Sequence, residues 1–433
     1  LELEWKRLLY REREFFEGET MMKAKRILRD YLYALLALVM FAFSTSSVFG
    51  DEKVLNIGAV LMQSGPASAA GLAWARGYKV MVDKVNDAGG IKIGNDTYKI
   101  KLTVADDAMS TEQAASATMK LVEQDKCTII FGSLNTAMEL AEYPITFKAG
   151  ALLLDCGTAI SGQYKTKQQA DVGSDRPLKV RPQATSDNAI PGLLDYLRQK
   201  YPAVKKIAIT GITEDMTTVL NSITLEEMRK RGLAAAGGIE YFAPDIQDYT
   251  PIMTRVLMKK PDAIFCINGG PIALGSQTKA ARELGFKGPI FTIIKGDIEL
   301  QARIAGSNTS DIFARGFTLS DENLPQGMKD FKSAFLKTFS KNELVSDAAY
   351  AYQNMWSIIQ AIEKANSVDP AAIQSAYESM CNPGDIKSIF GSTAHSGGLK
   401  TVGVNRAVVE PFAISLVTKG VAKVDKWVTY EFP

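Results

Sequence analysis

The chain has 433 residues, enough to bury a sizeable core and, at near-average composition, to form two domains rather than one. Its 50 Lys and Arg against 48 Asp and Glu leave a formal charge of +2, without the basic excess by which nucleic-acid binders neutralise phosphates, so DNA and RNA are discounted as partners. The single histidine, His395, lies in a Gly-Ser-rich loop near a predicted hinge, so neither a histidine-based triad nor a His-rich metal site is expected.

The first fifty residues read as processing signals rather than fold. Lys23, Lys25, Arg26 and Arg29 form a cationic start, and the apolar run YLYALLALVMFAF (residues 31–43) follows it. Its 13 residues fall short of the roughly 20 that span a bilayer. The small, polar STSSVFG comes next, with Val48 and Gly50 where a signal peptidase would inspect the chain. Residues 21–50 are therefore expected to be a secretory signal peptide, and the charged residues 1–20, ahead of Met21 and Met22, a translation-start artefact. An exported, periplasmic protein is expected.

From Val54 onward, short apolar runs alternate with amphipathic segments, the pattern of βαβ units and a largely parallel sheet. VLNIGAVL predicts a strand. Trp74, Tyr78, Val82 and Val85 recur at helical spacing in a helix that ends at Gly89-Gly90, and Trp74 is expected in the core. YKIKLTVADD is a strand, followed by a helix with Ser110 as N-cap. TIIFG, a helix through Tyr143 and GALLLDCG complete a first set.

A second set starts beyond KVRPQ. It runs through helix 188–200, strand KKIAITG, helix 218–231, a strand near 239–242, helix 249–259, strand PDAIFCING, helix 272–284 and strand GPIFTII. A helical tract (324–377) and a β-rich end (407–430) follow. The segments KVRPQ, ARGFTLS and AHSGGLKT are the expected crossings of a three-strand hinge. The boundaries are then 51–180 plus about 317–398 for lobe 1, and about 181–316 plus 399–433 for lobe 2.

Cys127 opens one predicted strand and Cys156 closes the next. In parallel neighbours the two sulfurs would lie at opposite ends, too far apart for a disulfide. Unpaired thiols are expected for all four cysteines. Neither G-x-G-x-x-G nor G-x-x-x-x-G-K-[ST] occurs where dinucleotide or nucleotide chemistry would need it. The pair Asp106-Asp107 reads as a turn former at a strand end. No enzyme and no cofactor are expected.

Several segments together resemble the leucine/isoleucine/valine-binding protein family of type I periplasmic solute receptors. They are IGAVLMQSGPASAAG, KVNDAGGIKI, Asp106-Asp107 with EQAASATMKLV and IIFGS, then KIAI, DYTPIMTRV, PDAIFC and QTKAARELGF, in family order from Ile57 to about Phe412. The resemblance implies two Rossmann-like lobes joined by a three-segment hinge. It also implies a monomer that captures a small molecule, an amino acid or related carboxylate, by clamp closure and hands it to an ABC permease in the inner membrane. A ligand sensor of the same fold is the alternative.

The family's ligand loops map here onto Ser133, Asn135, Thr136, Gly157 and Thr158 in the first lobe, where hydroxyls and main-chain amides clasp a carboxylate. In the second lobe they map onto Met216, Asn268, Gly269 and Lys295. Two departures matter. The second loop reads Asp155-Cys156-Gly157-Thr158-Ala159 instead of the family's Ser-Pro-x-x-Thr. Lys295 stands where amino-acid-binding relatives place an acid for the ammonium, and a cation there repels that group. Asp297, or Glu214-Asp215, would restore an acidic partner if the loops are re-aimed. The ligand is thus expected to be either a hydrophobic amino acid or a carboxylate without an ammonium.

Overall fold

The computed structural model describes residues 2–44, 52–65, 68–157, 174–186, 188–243, 245–293, 298–306 and 309–430. The chain divides into two units, Leu1–Glu52 and Lys53–Pro433. The first holds one helix, α1 (Glu2–Ser44), running unbroken through the charged stretch, the cationic start and the apolar run. Val48 and Gly50, the expected cleavage positions, lie outside the described residues. Among the described residues no helix is long and apolar enough to cross a membrane.

The second unit opens with β1 (Glu52–Leu61), α2 (Ser68–Asp87), β2 (Ile91–Ile93), β3 (Asp96–Asp106), α3 (Thr111–Glu123), β4 (Ile129–Phe131), α4 (Thr136–Lys148), β5 (Leu152–Leu154) and β6 (Lys179–Val180). These strands form a six-stranded sheet in the order β2-β3-β1-β4-β5-β6. β1, β4, β5 and β6 pair in parallel, and β2 and β3 form a hairpin. Ile129-Ile130-Phe131 and Leu152-Leu153-Leu154 are buried at every position, as strands covered on both faces must be. Ser110 caps α3, its hydroxyl accepting from the Gln113 N–H.

Next come α5 (Ala189–Lys200), β7 (Lys206–Ile212), α6 (Asp215–Lys230), β8 (Ala234–Ala235), β9 (Glu240–Phe242), α7 (Thr250–Met258), β10 (Ala263–Cys266), α8 (Gly270–Glu283), β11 (Ile290–Thr292), α9 (Ile298–Ala305) and β12 (Ile312–Arg315). The chain ends with α10 (Gln326–Phe335), α11 (Ser346–Ala365), α12 (Pro370–Glu378), β13 (His395–Gly397), α13 (Leu399–Val402), β14 (Ala407–Val409), β15 (Phe412–Thr418) and β16 (Val421–Val428). The second sheet has eight strands, ordered β16-β15-β12-β11-β10-β7-β8, with β9 also on β7. Its β7, β10, β11 and β12 are parallel, while β15 and β16 add an antiparallel edge. Phe265, Phe291 and Phe313 stack across adjacent strands at 4.2 and 4.6 Å between ring centres.

α11 lies along α2 over the first sheet. The approach is closest at Gly77, where an added Cβ would sit 2.2 Å from the Ala348 carbonyl oxygen, so only glycine lets the backbones meet there. Trp74 is buried and meets the Tyr78 ring edge-on at 5.9 Å, serving the core as expected.

Among the described residues the chain passes between the sheets three times: between Val180 and Ala189, between Arg315 and Gln326, and at Glu410–Pro411. The first two passages fall in the expected segments KVRPQ and ARGFTLS. The third does not fall in AHSGGLKT. That segment forms β13, which pairs with β14, and the short α13, whose flanking Gly398 and Gly403 adopt φ of 108° and 81°. Its glycines serve a local reversal, and residues 399–409 stay with the first lobe: the Arg181 N–H donates to the Arg406 carbonyl at 2.7 Å, and the Val408 N–H to that of Arg181 at 2.9 Å. α9 and β12 also went unforeseen, because eight residues give little more than two helical turns and Ile312–Arg315 is too short to show a period.

Candidate ligand cleft

The connections point to a candidate cleft. β6 and β12 are parallel strands, and the chain leaves each at its carboxyl end to cross to the other sheet. The hinge therefore joins the carboxyl ends of both sheets, where loops and helix N-termini of an open α/β sheet receive ligands.

On the first rim, the loops after β4 and β5 are tied together. Thr136, the first residue of α4, donates its hydroxyl to the Gly157 carbonyl at 2.9 Å. The Gly157 N–H donates to Glu139 Oε2 at 2.8 Å. A Cβ on Gly157 would lie 2.6 Å from the Ser133 carbonyl oxygen and 2.8 Å from that of Asn135, so the two loops also approach backbone to backbone, without room for a side chain at Gly157. Asn135 is the N-cap of α4, its Oδ1 accepting from the Ala137 N–H at 2.9 Å. Ser133 is wholly buried and bonds Asp107 Oδ2 at 2.9 Å and the Glu142 carboxyl. Thr158 lies outside the described residues.

Beneath this rim lies a buried charge network that sequence reasoning missed. Lys179 Nζ is 2.7 Å from Glu139 Oε1 and 3.6 Å from Asp155 Oδ2, and Arg181 Nη2 meets the same Asp155 oxygen at 3.0 Å. All four side chains are excluded from solvent. Burial, reinforced by the Asp155 charge and opposed by Lys179, holds the Glu139 carboxyl well above the usual range. Burial pushes Glu142 up to about 8, with the Ser133 hydrogen bonds opposing. One Ser133 proton cannot serve two acceptors. A protonated Glu142 can donate to the Ser133 oxygen while Ser133 donates to Asp107. The available signal was Glu139 and Glu142, three apart on a helix and hence on one face.

Asp106 and Asp107 form the turn expected of them. Asp106 Oδ1 accepts from the Gln63 and Ala108 N–H groups at 2.8 and 2.9 Å, and Asp107 Oδ1 from the Met109 N–H at 2.9 Å.

On the second rim, Asn268 follows β10 and is nearly buried. Its amide nitrogen donates to Thr217 Oγ1 at 3.1 Å and to Glu214 Oε1. Glu214, exposed at the N-cap of α6, is thereby aimed by a buried residue of the next loop. Gly269, with φ of 146°, starts α8. Met216 is half-buried against the core under α6. Lys295 and Asp297 lie outside the described residues. Among the described residues no group of three or more His, Cys, Asp or Glu side chains is arranged to hold a metal ion. The four thiols are unpaired, three of them buried and Cys381 exposed.

Two largely parallel α/β sheets, hinged at their carboxyl ends by three passages, define a two-lobed clamp. The chain belongs to the periplasmic binding protein family, whose pattern matches residues 54–398. It is 21% identical over 345 residues to an amino acid binding protein of Pseudomonas aeruginosa, covering 77% of this chain and 85% of that protein. Its fold is similar to that of the branched-chain amino acid transporter substrate binding protein LivJ of Streptococcus pneumoniae, solved in complex with isoleucine. That likeness has a TM-score of 0.66 at 19% identity and covers 87% of this chain and all of LivJ. It is also similar to an ABC transporter solute binding protein of R. palustris in complex with 4-hydroxybenzoate, with a TM-score of 0.68 at 18% identity, over 88% of this chain and 97% of that one.

Proposed function

We propose that this protein is the non-enzymatic, ligand-capturing component of an ABC importer and works as a monomer in the periplasm. Its two lobes close on a branched-chain or other amino acid, or on a related small carboxylate, and the closed form is what the permease takes up. The observation that supports this reading is the hinge at the carboxyl ends of both sheets, the ends from which the Thr136–Gly157 loops and the Glu214–Asn268 loops emerge. Similar folds hold isoleucine in one case and 4-hydroxybenzoate in another, the two ligand classes between which the sequence is divided.

In this mechanism the first rim takes the ligand's anionic or polar head. Contacts from the second rim then stabilise the closed state, because only differential affinity shifts such an equilibrium. Ser133, Asn135, Thr136, Gly157 and Thr158 form the first rim of the proposed site, and Met216, Asn268, Gly269 and Lys295 the second. The test is a thermal-shift screen against amino acids, simple carboxylates and amides, after unfolding and refolding to strip bound ligand. A ligand at 100 times its Kd adds about 2.7 kcal/mol. Scattering then compares free and saturated protein. Binding proven by calorimetry without any change in the scattering curve would rule out clamp closure.

A further inference from the structure

Each passage between the lobes carries a buried charged residue directly before a proline or glycine: Arg181–Pro182, Arg315–Gly316 and Glu410–Pro411. Arg181 is fixed to the first lobe. Its Nη2 and Nε donate to Asp155 Oδ2 at 3.0 and 3.2 Å, and its carbonyl accepts from the Tyr377 hydroxyl at 3.2 Å.

Three residues later the same passage is fixed to the second lobe. Arg315, the last residue of β12, donates from Nη1 to the Thr185 carbonyl at 2.9 Å and from Nη2 to the Ala184 carbonyl at 3.3 Å. Its guanidinium carbon lies 5.4 Å from the centre of the Phe412 ring, at the start of β15. Only Pro182 and Gln183 separate the two anchors.

The other passages are equally short. The Gly316 N–H donates to the Ala413 carbonyl at 2.9 Å and its carbonyl accepts from Ser415 Oγ at 2.8 Å, while Phe317 packs in the first core. Glu410 and Pro411 alone lie between β14 and β15.

We propose that Arg315 is the positioning residue that sets the angle between the two rims, and with it the affinity of the cleft, by clamping the first passage to the second sheet. This rests on the clamp-closure reading above. A planar guanidinium can bond two successive carbonyls in a fixed fork while lying flat on a ring, whereas an ammonium is a compact point charge without that fixed geometry. Without it, the swivel of the first passage lengthens from Pro182–Gln183 to at least Thr185, and two buried carbonyls lose their donor. The lobes then sample a wider, more open range of angles.

The experiment uses the full chain as wild type, Arg315→Lys, Arg315→Gln and Phe412→Leu. It combines small-angle scattering without ligand, hydrogen exchange at residues 182–186, and calorimetric titration with L-isoleucine and with 4-hydroxybenzoate. Arg315→Gln is expected to raise the ligand-free radius of gyration, speed exchange in 182–186 and weaken whichever compound binds at least fivefold. Arg315→Lys is expected to fall between it and the wild type. A folded Arg315→Gln protein with a lower melting temperature but wild-type radius, exchange and Kd would overturn the proposal and leave Arg315 a packing residue. If Arg315→Gln does not fold, the Lys and Phe412→Leu variants decide: wild-type radius and exchange in both overturn it, and a shift in either supports it. If neither compound binds the wild type, the proposed ligand class fails, while the ligand-free measurements still decide the role of Arg315.

Discussion

The hydroxyl of Thr136 donates to the carbonyl of Gly157 at 2.9 Å, joining the loops that follow two adjacent parallel strands. Gly157 is in turn held from below by Glu139, so the first rim of the proposed cleft rests on a buried polar network with Lys179 and Asp155 rather than on apolar packing alone.

Gly157→Ala should therefore damage the rim directly. Its Cβ would meet the Ser133 and Asn135 carbonyls, and overpacking of this kind costs about 1–3 kcal/mol. We expect a lower unfolding midpoint and at least a tenfold weaker ligand by calorimetry. Unchanged affinity would show that the two loops do not act as one contact surface.

Lys179→Met leaves Glu139 and Asp155 buried without their shared cation, and breaking a buried pair in this way costs on the order of 3–5 kcal/mol. Adding Glu139→Gln should recover part of the loss, since an amide beside Asp155 needs no cation, whereas the buried Glu139 carboxyl without Lys179 must hold a proton. Equal denaturant midpoints for the single and double variants would contradict that coupling.

Glu142 gives stability a pH dependence whose sign is set by its raised value. It keeps its proton in the folded chain up to about 8, whereas the unfolded carboxyl releases it near 4.5. Between those values the folded state binds more protons than the unfolded one, so this contribution is fully present at low pH and fades as pH rises through the window. The slope approaches ~1.4 kcal/mol per pH unit. Glu142→Gln should flatten the fall in melting temperature between pH 5 and 8, and an identical fall in both proteins would remove Glu142 as its source.

Asn268→Ala should release Glu214 from its aimed position while leaving the second core intact. If the ligand carries an ammonium, affinity is expected to drop about tenfold (~1.4 kcal/mol) with little change in the far-UV spectrum. Glu214→Gln should reproduce that loss. A simple carboxylate ligand would instead be unaffected by either change, so titration of both variants reports the ligand class.

The cysteines offer a simple check on the fold. A maleimide should label one thiol, Cys381, in the native protein and all four after unfolding, and reductant should leave the melting temperature unchanged. Labelling of Cys127 or Cys156 in the native state would contradict the packing around β4 and β5.

Much of the architecture was legible in the sequence because it depends on local period and burial. IIF and LLL are apolar at every position, which only strands covered on both faces tolerate, and Trp74 and Tyr78 mark the inner face of α2 through their spacing. The order of these pieces carried the family and the two-lobed fold. Ser110 could also be read as a cap, since capping engages only the following turn, whereas the capping role of Asn135 emerged only in the structure.

What tertiary structure alone decided depends on groups far apart in the chain. Nothing local tells that Ser133 turns inward to Asp107 and Glu142, that Lys179 serves Glu139 and Asp155, or that Arg315 reaches back to Ala184 and Thr185. The third passage was misplaced for the same reason: glycines at 397–398 and a proline at 411 both permit a crossing, and only the pairing of β13 with β14 shows which one is used. A charge or a glycine fixes what a residue can do. Its partner is chosen when the sheets close over it, because an unpaired polar group in that interior costs more than any local preference supplies.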